Sequence, residues 1–401
     1  MEELVADGAT LDFSSHEPTG KPLRFAFQRL RLTGFGEVRE IGFSMTLANP
    51  HPPGELKTSG TFGPFSSTNR GRTPIAGSFQ LSGASLGQYH GLGGSLNGKG
   101  NFRGPIESIR VRGAVDVSNF EVNHNGHSVQ LRADYQAAIN GLSGDVVLES
   151  IEADFLRTHL SVAGAIQSRA GERGKTVSLD FAGEQARIED LLRLFTKADH
   201  PALNGPIALR AHVELPPGQE RFLRRLRLNG AFGIDDAHWT RARTQTKINE
   251  LSARARGDKK EVEDRDSQLE RVVSDLKGAV SLHGGVAALS RVSFRVPGAT
   301  ATGGGTYNVI TRQVDLRGTV SMVADVSEAA SGLKSILLKP FDRLFRGDKK
   351  HKGATLPVSI TGEYPHPRYR VGLRRYSPER LAHASQMISP PSSMPPVLGW
   401  C

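Results

Sequence analysis

The chain has almost no cysteine. Its one thiol, Cys401, is the last of 401 residues, so neither an intramolecular disulfide nor a thiolate zinc site can form. Aromatic residues make up only 6%, which argues against the stacking platforms of carbohydrate grooves and single-stranded nucleic-acid surfaces. No apolar run is long enough to cross a bilayer as a helix. The first residues, MEELVADGATLDF, have neither the basic n-region nor the apolar h-region of a signal peptide. The chain therefore reads either as cytoplasmic or as a piece of a longer protein whose targeting segment lies upstream.

Catalytic signatures are missing too. There is no Walker loop, no HExxH and no nucleophile elbow in an α/β setting. The run GGGT (303–306) lacks the lysine and the strand–turn–helix context of a phosphate loop and reads as a glycine hairpin. His90, His124, His127 and His212 are scattered on turns and polar strand positions, where histidines are ordinary surface residues. Asp134, Asp145, Glu149 and Glu152 could be assembled into a carboxylate pair of glycosidase type, but their spacing singles out none of them. No catalytic residue, metal ligand or cofactor is expected.

The bulk numbers leave room for two or three domains or one long sheet-built body. Hydrophobic residues are 37% and charged residues 23%, and the formal net charge is +10. The basic residues occur singly on strands and in short runs such as RFLRRLR (221–227) and DKKHK (348–352). That balance permits contact with nucleic acid or anionic lipid headgroups and specifies neither. The 45 glycines exceed the roughly 28 expected at ~7%, and many fall inside alternating runs, as in bulged or bent strands.

Period-two alternation is the dominant pattern. It runs through IGFSMTL (41–47), IAGSFQL (75–81), IRVRGAVDV (109–117), VQLRADYQA (129–137), VSLDF (177–181), IALRAHVEL (207–215), VSFRV (292–296), VDLRGTVSM (314–322), LPVSI (356–360) and YRVGL (369–373). One apolar and one polar face per strand argue for antiparallel sheet with a wet side. NHNGHS (123–128), INGLSGD (139–145) and YNVITRQ (307–313) are turns between them. In IRVRGAVDVSNFEV, Gly113 lies on the apolar side, and the apolar positions move from odd to even at Phe120 and Val122. An inserted residue has that effect, so a bulge or tight turn is expected at Ser118–Asn119. Glycine-punctuated strand units recur at 96–120, 203–215, 276–294 and 301–322 without a fixed period.

Four stretches have helical spacing: 184–198 with Ile188, Leu191, Leu192 and Phe195 on one stripe, 217–228, 264–278 and 327–345, the last broken at Pro340. They are expected to cover the open face or the ends of the sheet. The stretch 252–266 is too polar to pack and reads as a loop or exposed arm, and the Pro/Ser-rich tail from Tyr376 reads as disordered.

An amphipathic sheet must hide one face. The residues alone leave two solutions open: an ordinary core closed by the helices, or a long curled antiparallel sheet whose apolar side forms a groove. The candidate lining is Ile109, Val111, Val115, Val117, Val129, Leu131, Tyr135, Val292, Phe294, Val314, Leu316 and Val320. With Gly113 and the phase slip read as curvature devices, the expected class is mostly β, a curled, groove-like sheet with a few short covering helices.

The segment 333–373, LKSILLKPFDRLFRGDKKHKGATLPVSITGEYPHPRYRVGL, resembles the C-terminal end of AsmA-like envelope proteins. The likeness rests on a leucine-rich helix (333–338), Pro340–Phe345, Gly353, the strand Leu356–Gly362, the turn Pro365–Pro367 and the last strand Tyr369–Leu373. Segments 296–335, 47–65 and 102–122 are similar to the family's strand pairs and sheet units, so that it extends over about Pro22 to Leu373. This favours the groove. It implies a non-enzymatic, periplasmic protein, inner-membrane associated where an upstream anchor exists, that assists outer-membrane assembly or phospholipid handling. Phospholipids, a membrane surface and envelope proteins are the implied partners, and nucleic acid is not. The resulting division is 1–183 and 184–278 for successive sheet segments, 279–375 for the AsmA-like segment and 376–401 for the tail. An envelope scaffold without lipid cargo is the alternative. A carbohydrate enzyme on a β-helix is a third reading, opposed by the hairpin turns.

Overall fold

The computed structural model describes residues 3–13, 23–35, 40–66, 68–89, 91–122, 126–172, 174–256, 273–323, 354–363 and 367–371. Within them the alternating segments form twenty-one strands. The first half comprises β1 (Glu3–Asp7), β2 (Thr10–Phe13), β3 (Leu23–Thr33), β4 (Ile41–Pro50), β5 (Pro53–Phe62), β6 (Pro74–Ser85), β7 (Leu92–Pro105), β8 (Ile109–Val122), β9 (Val129–Ile139), β10 (Val146–Phe155) and β11 (Thr158–Ser168). The second half comprises β12 (Lys175–Arg187), β13 (Leu203–Asn204), β14 (Pro206–Leu215), β15 (Arg227–Trp239), β16 (Ser274–His283), β17 (Val286–Val296), β18 (Ala299–Asn308), β19 (Gln313–Met322), β20 (Ala354–Glu363) and β21 (Arg368–Val371). Three helices, α1 (Ile188–Phe195), α2 (Phe222–Arg225) and α3 (Ala242–Arg256), and three short 3₁₀ turns complete the described chain.

Every pairing is antiparallel, and nearly every strand pairs with its neighbours in sequence. β1 and β2 lie end to end along β3. Later, β12 pairs β14 because the short β13 pairs β15 instead. The antiparallel, mostly β expectation is met. The curled groove is not: pairing runs one way from β1 and β2 to β21, the two edges do not meet, and the sheet is neither closed nor strongly curled. The reason lies in the features read as curvature devices. The bulges and glycines keep side chains on one side of an open sheet and seat aromatic rings.

The stretch 109–122 shows the first device. Its register with β9 shifts between Val117 and Phe120, and Asn119 there takes φ 54°, the left-handed region that asparagine tolerates. Val117 and Phe120 thus stay on the same face. The same happens between Ile234 and Ala237 in β15, with Asp236 at φ 52°, and between Leu289 and Val292 in β17, with Arg291 at φ 50°. A period of two cannot otherwise keep apolar residues three apart on one side.

The result is one continuous apolar face. A line of direct cross-strand partners runs Ala6, Leu30, Met45, Thr58, Phe79, Gly100, Gly113, Tyr135, Ile151, Val162, Phe181, Ala211, Gly230, Val280, Leu289, Gly305, Leu316, Ile360 and Tyr369. It crosses the sheet from edge to edge without a charged residue. The adjacent line on the other face carries Lys57, Gln80, Lys99, Asp134 and Glu152.

The second device is a glycine pair beneath two rings. Gly60 opposes Gly77, with Phe43 and Phe102 as their outer partners, and those rings meet over the glycines with centroids 6.4 Å apart. Gly100 opposes Gly113, and Tyr135 covers Gly113 as Phe79 covers Gly100. The GGGT run belongs to the same class of feature. It is not a hairpin but lies inside β18, with Gly303 opposite Gly318.

The helices are shorter than their patterns suggest. β12 continues to Arg187, so α1 occupies only the middle of 184–198; Leu194 is its buried anchor, and Phe195, 57% exposed, is not. Segment 217–228 contains one helical turn. Residues 274–278 are strand, because Leu276 and Gly278 join the apolar face opposite Ile234 and Phe232; 264–272 lie outside the described residues. Segment 252–256 is no exposed arm: it ends α3, with Ser252, Ala253 and Ala255 buried. The expected helix at 327–345, the basic run 348–352 and the tail from Tyr376 also lie outside the described residues.

A methyl group on Gly60 would overlap the Ala76 carbonyl oxygen and approach Gly77 Cα to 2.6 Å. Gly60→Ala is therefore expected to destabilise the chain by roughly 1–3 kcal/mol, read as a lower urea midpoint. Gly87→Ala, whose methyl would have only Ser85 Oγ nearby at 3.6 Å, should leave the midpoint unchanged.

Candidate functional site

All twelve candidate lining residues lie on the one apolar face. Val111, Val117 and Val129 are buried, and the other nine are half-buried. The two groups, 109–135 and 292–320, belong to one surface. Cover is concentrated along one rim. Leu191 and Leu194 of α1 pack on Phe120, Val129, Leu131 and Phe155, and Ile188, Leu191 and Leu192 on the cluster around Ile207 and Ile234. Ile248, Leu251 and Ala255 of α3 pack with Phe294, Val296, Met322 and Val320. Ile109, Val111, Val115, Tyr135, Val292, Val314 and Leu316 belong to none of these helix-capped clusters. Burial pushes the Tyr135 phenol pKa upward.

A polar lock holds α1 in place. Asp190, buried at the helix start, accepts from Arg157 N–H (2.9 Å) and Thr158 Oγ1 (3.2 Å). Neighbouring Glu189 accepts from Gly205 N–H (3.0 Å), Arg187 Nε (2.9 Å) and Arg157 Nη2 (2.8 Å). Burial pushes the Glu189 carboxyl up, but the Gly205 and Glu189 N–H groups and the Arg187 guanidinium outweigh it and hold the carboxyl below its ordinary range. The lock ties the helix to the β10–β11 turn and to the start of β14.

On the polar face an open cavity of about 860 Å³ is bordered by Ser59, Gln80, Lys99, Arg112, Asp134 and Glu152. The structure brings Asp134 and Glu152 directly opposite each other across β9 and β10. It does not bring in Asp145, which sits in the next turn against Lys175 Nζ at 3.0 Å and accepts from Ser168 N–H. That lysine, first, and then the Ser168 N–H lower the Asp145 pKa to about 2. Of the four histidines, His90 and His124 lie outside the described residues, and His127 Nε2 meets the Ala198 carbonyl (3.1 Å).

Two histidine clusters escaped the sequence reading because their members lie on different strands. His159 sits between Asp154 (2.8 Å) and Glu152 (3.1 Å). His212 Nδ1 meets Asp180 Oδ1 at 2.7 Å, and its Nε2 is 3.5 Å from Ser178 Oγ. The second has the connectivity of a nucleophile relay. It stands on an exposed surface where the strands on both sides of β12 use the backbone N–H groups in the ladder, leaving none beside Ser178 to hold an oxyanion.

Among the described residues no group of three or more metal-ligating side chains forms, and no helix is long and apolar enough to cross a membrane. No protein-family model, curated protein or solved structure matches the chain. Of the residues that carry the AsmA-like resemblance, 333–338, Pro340–Phe345, Gly353, Pro365 and 372–373 lie outside the described residues, and Leu356–Gly362 fall in β20.

Asp190→Ala leaves two donors unpaired at a buried site and is expected to cost about 2–3 kcal/mol, measured as a lower denaturant midpoint. For His159, hydrogen bonding to Asp154 raises the pKa, with Glu152 adding to it. The charged form is thus favoured in the folded chain. Its contribution to stability is fully present below the ordinary value of 6.5 and is lost as pH rises through the higher folded value. An NMR titration should place the His159 midpoint above 6.5, and Asp154→Asn should move it down.

Proposed function

We propose that this protein handles phospholipid by holding acyl chains against its open apolar β-face. The observation that carries the reading is the uncharged line from Ala6 to Tyr369, one side of a sheet whose helix-capped clusters, under α1 and α3, lie along one rim. Each acyl CH₂ removed from water contributes about 0.8 kcal/mol, so a chain lying across several strands is held without specific polar contacts. The protein works without catalysis. Its place is the cell envelope of a Gram-negative cell, in the outer-membrane assembly or phospholipid handling that the C-terminal resemblance implies, on the periplasmic side of the inner membrane.

One observation favours a scaffold role without cargo. Where Phe43 and Phe102 close over Gly60 and Gly77, the face is filled by its own side chains. There a partner protein's apolar surface fits better than a flexible chain.

Native mass spectrometry of the purified chain separates the two. Bound phospholipid is expected, together with transfer of labelled phospholipid between vesicles. Ile151→Glu, in the middle of the apolar line, and Leu316→Glu, towards its β21 end, should each reduce both signals several-fold. A lipid-free chain that transfers nothing overturns the lipid reading and leaves the scaffold.

A further inference from the structure

The turns joining β5 to β6, β7 to β8 and β9 to β10 lie at the same end of their strands and are stitched into one platform. Ile106 N–H donates to the Thr73 carbonyl (3.0 Å), and Gly141 N–H to the Ile106 carbonyl (2.7 Å). Thr73 is fully buried, and its hydroxyl accepts from Ser66 N–H (3.1 Å). Asn69 and Asn140 accept from backbone N–H groups of their own turns. This well-bonded platform nevertheless presents two large apolar side chains to solvent, Phe65 at 62% and Leu142 at 63% exposure. Leu142 Cδ1 lies over Gly71, 3.1 Å from where a Cβ would stand, and Gly71 is flanked by Arg70 and Arg72.

At the mouth of the middle turn, Arg103 and Arg110 are direct cross-strand partners. The guanidinium groups of Arg70, Arg72, Arg103 and Arg110 have no hydrogen-bond or ion-pair partner among the described residues, and all four residues are exposed. Of the two carboxylates on these turns, Asp145 is paired with Lys175 and only Glu107 is left. Like charges directly opposite across a sheet are destabilising. A rigid surface that keeps such a pair, with two more free arginines and two bare apolar tips, matches a partner with anions outside and hydrocarbon beneath.

We propose that this platform docks the protein on an anionic lipid bilayer. The arginines meet headgroup phosphates, and Phe65 and Leu142 enter the boundary between headgroups and acyl chains. The docking does not depend on acyl chains binding the sheet. The test reads sedimentation rather than lipid uptake, so either reading can fail alone.

The full chain is sedimented with phosphatidylcholine vesicles, with and without phosphatidylglycerol. Binding to the anionic vesicles alone is expected. It should weaken about 30-fold in the double variant Arg70→Ser/Arg72→Ser and roughly tenfold or more in Phe65→Ser/Leu142→Ser. A remote control, Arg210→Ser/Arg317→Ser, removes the same charge from exposed positions on other strands and should bind as the parent does. Equal binding to neutral vesicles, normal binding by both platform variants, or an equal loss in the control overturns the proposal. So does capture of single-stranded RNA by a chain that ignores vesicles.

Discussion

Everything in this molecule depends on register. In a sheet with one apolar side, a slip of one residue sends a whole strand's hydrophobic set into water. Here the constraint is compounded over successive antiparallel pairings from Ala6 to Tyr369. The strands are also long, up to 14 residues, and apolar positions three apart would break the alternation. The bulges at Val117/Phe120, Ile234/Ala237 and Leu289/Val292 absorb the extra residue where it arises. The helix-capped clusters form only because the residues they cover have been kept on one side.

Much of the fold was legible because alternation is a local signal. The bulge at Ser118–Asn119 could be read from a single strand, since the odd-to-even shift from Val117 to Phe120 has few other causes. Curvature could not. Gly113 reads the same whether it bends a sheet or lies beneath a ring, and Tyr135, which covers it, is 22 positions away. Helices were misjudged where helical and strand spacing coincide: Leu276 fits both a helical stripe and the apolar strand face, and its partner Ile234 decides. α3 was missed because its apolar stripe is short, Ile248, Leu251 and Ala255, and is interleaved with buried polar residues, Gln245, Asn249 and Ser252, which weaken the amphipathic pattern.

The candidate site was legible to the same depth. Period two assigns Ile109 through Tyr135, and Val292 through Val320, to one side of their strands, and they share one face. Whether that face is roofed is a matter of tertiary cover, which no single strand records. The charged features were the least visible. His159 with Asp154 and Glu152, and Arg103 with Arg110, are assembled across strands. The platform joins residues 65, 70–72 and 142 through backbone hydrogen bonds between turns, and backbone bonds leave no mark in side-chain pattern.

Pairing almost entirely between successive strands has a consequence for how such a chain could change in size. Each strand is held by the strands on either side of it, so stability accumulates nearly as a sum along one dimension. Inserting or deleting one whole hairpin, two antiparallel strands, restores the chain direction and returns each turn to its former rim. The water-shunning side is carried forward unbroken as long as the joining residues keep their parity. The length of the sheet is thus a free parameter in a way that its width is not, because the width is set by where α1 and α3 sit and by the bulges beneath them.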